Sequence, residues 1–476
     1  MKEFNRRDFI RYASIGVGAV AAKAPISLLG EERRRRKPNI LIILTDQQTL
    51  KAMSAYGNKW VCTPHMDSIA ANGVRFENSY CTSPVCGPSR SSLVTGRMPH
   101  ETGVIFNGQS IRPGIQNMGE IFRKAGYKTA WAGKWHLPQS YPRGKNATIP
   151  RFEYLAVPEG TKFGLGSQTD GPVADEAIKF LLTKHEEPFV LGVSLHNPHD
   201  ICWWVREKPV KHPDLHRFPP LPNNFNVAPD EPEFIQMCRE RTYYGEEIQW
   251  TKSWDKDQWR AYLNAYYRLT EEADKEIGRI LAALREQGLE EHTLVIFTSD
   301  HGEGMAAHRW VVKLMLYEEP VTVPLIVSWK GVTPAGAVDK KHLVSGIDVL
   351  PTICDYAGVR GPQMTGISLK PLIENPSLPG HAFVVSELSP DPKDLDRKGR
   401  MVRTQRYKYI VFSMGRNPEM LFDLENDQGE AKNLAHDSTM KDVLERHRML
   451  LRNWMEQTND DVKMPVSMAC ALGNTA

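Results

Sequence analysis

Ile40-Leu41-Ile42-Ile43-Leu44-Thr45-Asp46-Gln47 is an unbroken apolar, largely β-branched run that ends in a carboxylate and an amide. A strand with one wet face alternates apolar and polar residues, whereas an uninterrupted run suits burial on both faces, as in a parallel sheet. The same pattern recurs outward from it. Thr63-Pro64 opens a short helix that Gly73 closes. A helix is predicted from about Ile115 to Ala125, stopped by Gly126, with the strand Thr129-Ala130-Trp131-Ala132 behind it. Phe189 to Leu195 is a further apolar strand. From Trp259 to Arg285, Tyr262, Tyr266, Leu269, Ala273, Ile277, Ile280 and Leu284 fall at helical spacing. Gly288 ends that helix, and Leu294-Val295-Ile296-Phe297 and Val321 to Trp329 are the next strands. Helices alternating with buried strands predict an α/β fold with a mostly parallel sheet covered on both faces.

Residues 200–250 carry many prolines, the pair Trp203-Trp204 and little periodicity, which reads as a long irregular loop shaping a site. Beyond about residue 375 the pattern shifts to short strands such as Tyr407 to Phe412, an acidic turn from Asp423 to Glu430, and a helix from about Met440 to Met455. This predicts a main domain over 38–372 and a smaller α+β part over 373–476.

The chain has 476 residues, 41% hydrophobic and 25% charged, with a net charge of +3. That composition is globular, and the near-neutral charge argues against nucleic-acid binding. Residues 1–24 read as an export signal. The twin arginines of Asn5-Arg6-Arg7-Asp8-Phe9-Ile10 precede a short apolar stretch, Ile15 to Ala22, and small residues at Ala19-Val20-Ala21. A basic linker, 25–37, follows, and no segment approaches the roughly 20 apolar residues of a membrane span. Export of the folded chain through the twin-arginine machinery to the periplasm or beyond is the expectation. Seven cysteines, at 62, 81, 86, 202, 238, 354 and 470, include no CxxC pair and leave at least one thiol unpaired.

Ligands of α/β sheets gather at the carboxyl ends of strands. Here those ends deliver Asp46-Gln47, Gly133-Lys134-Trp135-His136, His196-Asn197-Pro198-His199 and Ser299-Asp300-His301-Gly302-Glu303. Asp46, Gln47, Asp300 and His301 make a plausible cation site. Carboxylates and an amide suit calcium, while the imidazole leans toward a transition metal, so chemistry alone leaves the ion open. Cys86-Gly87-Pro88-Ser89-Arg90 places a thiol near a guanidinium. Without further context an ordinary buried cysteine is the favoured reading of that spacing.

Cys86-Gly87-Pro88-Ser89-Arg90, continued by Leu93-Val94-Thr95-Gly96-Arg97, resembles the signature of type I sulfatases, whose cysteine becomes formylglycine. The resemblance extends over nearly the whole chain after the signal. It takes in Thr45-Asp46-Gln47, the segments ending in His136 and His199, Ser299 to Glu303, Tyr317-Glu318-Glu319 and Leu421-Phe422-Asp423-Leu424. It implies an alkaline-phosphatase-like fold and one calcium ion held by Asp46, Gln47, Asp300 and His301 together with residue 86. It implies a formylglycine-generating enzyme as a maturation partner, and a sulfated carbohydrate as substrate. One hydroxyl of the hydrated aldehyde would attack sulfur and the other would expel sulfate. Arg90 and Lys134 would orient that group, His136 would act as the base, and Lys313 and His199 would bind sulfate oxygens, one of them protonating the leaving alcohol. His308 lies close enough in sequence to share the role of Lys313, Trp203-Trp204 offers a stacking face for a sugar, and Asp200 offers a partner for its hydroxyls. Many relatives have aspartate where Gln47 stands and asparagine or glutamine where His301 stands, so this metal site carries less negative charge. The alternative from the same cysteine motif is a phosphonate monoester or phosphodiester hydrolase; a non-catalytic glycan-binding protein ranks last, because every matched site position is occupied.

Overall fold

A computed structural model describes residues 37–142, 148–158, 161, 165–207, 217–241 and 245–465. The signal, nearly all of the basic linker and Cys470 lie outside these residues. The decisive run is β1 (Asn39–Asp46), and all but its first residue is buried. It lies near the middle of an eight-stranded sheet ordered β4-β3-β5-β1-β6-β7-β2-β8. The other strands are β2 (Val74–Tyr80), β3 (Lys128–Gly133), β4 (Glu153–Leu155), β5 (Phe189–Pro198), β6 (Thr293–Ser299), β7 (Leu325–Ser328) and β8 (Ala337–Ser345). β1 pairs in parallel with β5 and β6, β3 with β5 and β4, and β2 with β8; β7 runs antiparallel to both β6 and β2. The sheet is mixed and mostly parallel, as the uninterrupted apolar runs require.

Helices cover both faces. On one side α1 (Pro64–Ala71), α4 (Gly166–Leu182) and α5 (Lys256–Glu286) pack Met66, Ala174, Ile277 and Ile280 against Leu41, Ile43 and Leu191. On the other, α2 (Cys86–Thr95), α3 (Met118–Lys124) and α6 (Val349–Ala357) pack Leu93, Phe122 and Ile353 against Ile40, Ile42 and Leu44. Alternate residues of β1 thus feed opposite cores, which explains why Ile40 to Leu44 contains no polar residue. The capping box at Asp255, with Gln258 returning a bond to its backbone, sets the start of α5.

A second sheet of four antiparallel strands has the order β12-β11-β10-β9. Its strands are β9 (Val384–Leu388), β10 (Gly399–Arg403), β11 (Tyr407–Phe412) and β12 (Glu419–Asp423). Val402, Tyr409 and Val411 face Leu444 and Leu451 of α7 (Lys441–Thr458), while Met401, Ile410 and Phe412 join a core shared with Tyr262 and Trp310.

Two expectations need correction. The strand predicted over Val321 to Trp329 begins only at Leu325 and ends at Ser328. Glu318–Val321 is a helical turn instead, and Pro324, which has no N–H for a sheet ladder, delays the strand. Residues 200–250 are not uniformly irregular: Ile201–Trp204, Glu233–Arg241 and Gly245–Thr251 are helical.

Candidate active site

Register brings four strand ends level. Gly133 pairs with Ser194, Ser194 with Leu44, and Leu44 with Thr298. Side chains leaving β1, β3, β5 and β6 at this line therefore enter one volume. Gly133 has φ +84, and a Cβ there would lie 2.1 Å from the Ser194 carbonyl oxygen. Only glycine fits that turn, and the turn aims Lys134 into the site.

The cysteine arrives on α2, all ten residues of which are buried. Pro88 sits in the first turn, where a helix does not need its N–H, and Gly96 at φ +67 ends the helix on the Ser92 carbonyl. Its polar side chains find partners inside: Ser89 Oγ donates to the Asp300 carbonyl at 2.5 Å and Thr95 Oγ1 to that of Ser91 at 2.6 Å. Arg90 donates from Nε to Asp300 Oδ2 and from Nη2 to Asp46 Oδ2, both at 2.8 Å. Its Nη1 reaches Ser194 Oγ at 2.8 Å and the Lys134 carbonyl at 2.9 Å. One guanidinium thereby clamps the two carboxylates from below.

Cys86 Sγ is 3.1 Å from His301 Nε2 and 3.1 Å from Lys313 Nζ. Lys134 Nζ and Asp46 Oδ1 each lie 3.8 Å away, and His136 and His199 also hydrogen-bond to this side chain. Burial alone would raise the thiol, but Lys134, Lys313 and His301 hold it well below the usual cysteine range. His199 is pushed down to about 4, first by burial and then by Lys313 and Lys134. His136 is lowered by burial as well. Both imidazoles are neutral at neutral pH.

Asp46, Cys86, Asp300 and His301 each present one ligand atom, all within 4.8 Å of one another. Burial and the neighbouring Asp46 raise Asp300. Asp46, lifted by burial and Cys86 but drawn down by Lys134, His199 and Arg90, ends well below the usual range. A cation among these donors would keep both carboxylates ionised. His301 Nδ1 binds the Gly302 carbonyl at 2.8 Å, which leaves Nε2 facing the other donors, the usual second bond of a metal-bound imidazole. The donor set therefore fits a metal ion. Gln47, held at φ +70, lies alongside: its Oε1 accepts from Lys313 Nζ at 3.0 Å and its Nε2 donates to Glu303 Oε2 at 2.5 Å.

Residues 38–359 match the sulfatase family, and residues 306–457 match the C-terminal family of N-sulphoglucosamine sulphohydrolase. Over 448 residues the chain is 33% identical to Delta 4,5-hexuronate-2-O-sulfatase of Bacteroides thetaiotaomicron, covering 90% of this chain and 91% of that protein. The chain belongs to the sulfatase family. As a sulfatase it is a sulfuric ester hydrolase, and the family generally uses a formylglycine and a metal ion. The sulfatase superposes on a solved 2-O GAG sulfatase with a TM-score of 0.81 at 30% identity, covering 90% of this chain and 95% of that one. It is 28% identical to an ulvan-active sulfatase of Formosa agariphila, covering 87% of this chain and 80% of that protein. Phosphonate monoester hydrolase of Agrobacterium radiobacter shares the fold, with a TM-score of 0.73 at 23% identity.

Asp46, Gln47, Arg90, Lys134, His136, His199, Asp300, His301 and Lys313 all gather around Cys86. Three neighbours do not serve as expected. His308 is turned away, stacked on Tyr317 at 4.0 Å between ring centres. Asp200 accepts from the backbone of Gly166 at 2.6 Å and Ser167 at 3.0 Å, so it tethers the start of α4. Trp204 packs against Trp254 and Tyr262, whereas Trp203 is 42% exposed and lines the cavity of about 560 Å³ above Cys86. Arg206 lies 4.5 Å from the Trp203 ring centre and lines the same cavity, which Ser389, Pro390 and Pro392 close from beyond β9. Sequence reading missed Arg206 and these prolines, since nothing in their local pattern sets them apart. Glu303 was quoted but given no task. Buried, it accepts from Tyr262 Oη, Gln47 Nε2 and the Val312 N–H, and so ties the loop of Lys313 to the metal donors.

Proposed function

We propose that this sulfatase removes sulfate from an acidic sulfated glycan outside the bacterial cytoplasm, with Cys86 matured to formylglycine and calcium as the metal. One observation carries the reading: Cys86 Sγ stands at the floor of the cavity within 3.1 Å of both Lys313 Nζ and His301 Nε2, above the Arg90-clamped pair Asp46 and Asp300. The sulfur occupies the place that the oxygens of a hydrated aldehyde would take. Matured, that position supplies a nucleophile that can later expel sulfate without water attacking the ester. Asp46, Gln47, Asp300 and His301 would hold the calcium, which would supply Lewis acidity to the reaction.

The remaining work falls to protein side chains. Lys134 and Lys313 bring two ammonium groups to a charged substrate. His199 accepts from Lys313 Nζ at 3.1 Å. Because it is neutral, its role is to aim the lysine, and Lys313 is the better donor to the leaving alcohol. His136, neutral and hydrogen-bonded to residue 86, is the base. The glycan assignment draws support from the hexuronate and ulvan relatives, and Arg206 on Trp203 gives the cavity mouth a cation for an acidic sugar. Export rests on the twin-arginine segment. Among the described residues no helix is long and apolar enough to cross a membrane.

The test is sulfate release by the full chain co-expressed with a formylglycine-generating enzyme. A 2-O-sulfated hexuronate disaccharide, a 6-O-sulfated glucosamine and a phosphonate monoester are compared, with Cys86→Ala alongside. Release from the hexuronate that disappears in Cys86→Ala is the expected result. Faster turnover of the phosphonate than of every sulfate ester would overturn the proposal.

A further inference from the structure

The loop that delivers Lys313 is unusually strained. Met305, Ala306, His308, Arg309, Val312 and Leu314 all have φ between +52 and +70, a region that L-residues with a Cβ rarely occupy. Such a conformation persists only where its surroundings over-determine it. Glu303 holds one side of the loop through Val312. The other side is held by His308, which is 1% exposed.

The His308 ring donates to the Gly429 carbonyl, and its Nε2 has no hydrogen-bond partner among the described residues. A buried imidazole nitrogen with a free lone pair is a ligand atom without a ligand. Glu319 and Glu430 face it, and one donor atom from each of the three lies within 4.8 Å of the others. Glu319 Oε1 accepts from Asn224 Nδ2 at 2.9 Å, but its Oε2 is likewise unpartnered among the described residues. Glu430 Oε2 accepts from the Glu318 N–H at 2.6 Å, and its Oε1 is 2.8 Å from Lys408 Nζ. Lys408 also serves Glu318 Oε1 at 3.0 Å, and Tyr80 Oη donates to Glu318 Oε2 at 3.0 Å. Lys408 thus contacts two carboxylates, Glu318 and Glu430, and Arg403, bound to Tyr80 Oη at 2.8 Å, adds a second cation beside Glu318, whereas Glu319 makes no ion pair among the described residues. Arg239, which donates to the His308 carbonyl, is itself paired with Glu231.

We propose that His308, Glu319 and Glu430 form a second divalent-cation site, of the zinc class, that pins the Lys313 loop against the small sheet. One imidazole with two carboxylates is a zinc donor set, and the imidazole disfavours calcium. A cation there would supply the charge partner that Glu319 lacks among the described residues. The site uses the Tyr317-Glu318-Glu319 segment, which the chemistry at Cys86 leaves without a task.

The experiment uses the full chain carrying Asp300→Asn, which weakens the site at Cys86. After chelation and dialysis against micromolar zinc chloride, bound metal is counted by mass spectrometry. One zinc per chain is expected, with at least 100-fold weaker binding after His308→Gln or Glu319→Gln added singly. Hydrogen exchange of amides 305–314 is expected to slow with zinc in the parent and to stay unchanged in those variants. Glu319→Gln preserves shape and hydrogen bonding to Asn224, so it answers for His308→Gln should that chain misfold. No zinc retained, or zinc retained equally in both variants, overturns the site and leaves a proton shared between Glu319 and His308. Zinc bound without protection of 305–314 overturns the pinning.

Discussion

Two buried clusters of acids and histidine lie at opposite ends of the loop between Glu303 and Glu319, and they balance charge differently. Around Cys86, two carboxylates meet Arg90, Lys134 and Lys313, and a cavity opens above them. Around His308, Lys408 pairs with Glu318 and Glu430, and Glu319 has no cationic partner among the described residues. Excess positive charge facing a cavity suits an anionic substrate. Excess negative charge among packed side chains suits a resident cation. The difference shows that residue types alone do not define a site; the local count of charges and the space above them do.

The largest expected effect comes from Arg90→Ala, which strips the clamp from Asp46 and Asp300. Leaving buried charges unpaired typically costs about 3–5 kcal/mol, read as a lower midpoint in urea. A stability unchanged within error would mean that the metal, rather than Arg90, carries the compensation. Next, Lys313→Ala should lower kcat for sulfate release by about 10²–10³-fold, the scale of losing one transition-state donor, with little change in the melting temperature. Lys408→Met should do the reverse, costing on the order of 3 kcal/mol of stability while the zinc affinity of the metal-depleted chain rises. Equal loss of kcat in both variants would erase the distinction between the clusters.

A smaller effect is set by pH. His199 and His308 are both lowered from 6.5 to about 4 in the folded chain. A depressed imidazole contributes stability above its unfolded value and loses it as pH falls toward the folded one. The melting temperature should therefore drop between about pH 6.5 and 4, and His199→Gln should make the drop shallower. Zinc at pH 5.5 should counter only the share belonging to His308. The smallest change is expected from Trp203→Ala: a rise in KM of several-fold for a glycan substrate, with kcat and stability nearly kept. Trp204→Ala, which removes a half-buried ring packed on Trp254 and Tyr262, should instead cost about 1.5–3 kcal/mol of stability. Measured together, the two tryptophans separate the cavity wall from the core beneath it.

Much of this was legible in the sequence, for reasons that can be named. β1, β3, β5 and β6 are apolar because both faces are covered, and their ends carry Asp46, Lys134, His196 and Asp300 where such sheets place ligands. β2 and β8 escaped notice because Arg75, Glu77, Asp339 and Lys340 break the apolar pattern, β8 lying at the sheet edge with its first half half-buried or exposed. Local composition could not rank Cys86 above Cys81 or Cys354; the resemblance to sulfatases did. Nor could spacing say that His308 points away from Cys86, since that depends on a run of left-handed residues that no propensity favours. Trp203 and Trp204 are adjacent in sequence, and only the packing of the helical turn at Ile201–Trp204 assigns one to the cavity and the other to the core.

The complete burial of Cys86 has a consequence in time. Its side chain is 0% accessible, and the helix that carries it is enclosed along its whole length. No second macromolecule can close an active site around that sulfur once α2 has docked. Any enzyme that alters Cys86 must therefore meet the chain while this segment is still extended, on the ribosome or soon after release. Maturation and folding are then competitors, and a variant that folds faster around α2 would carry more unaltered thiol.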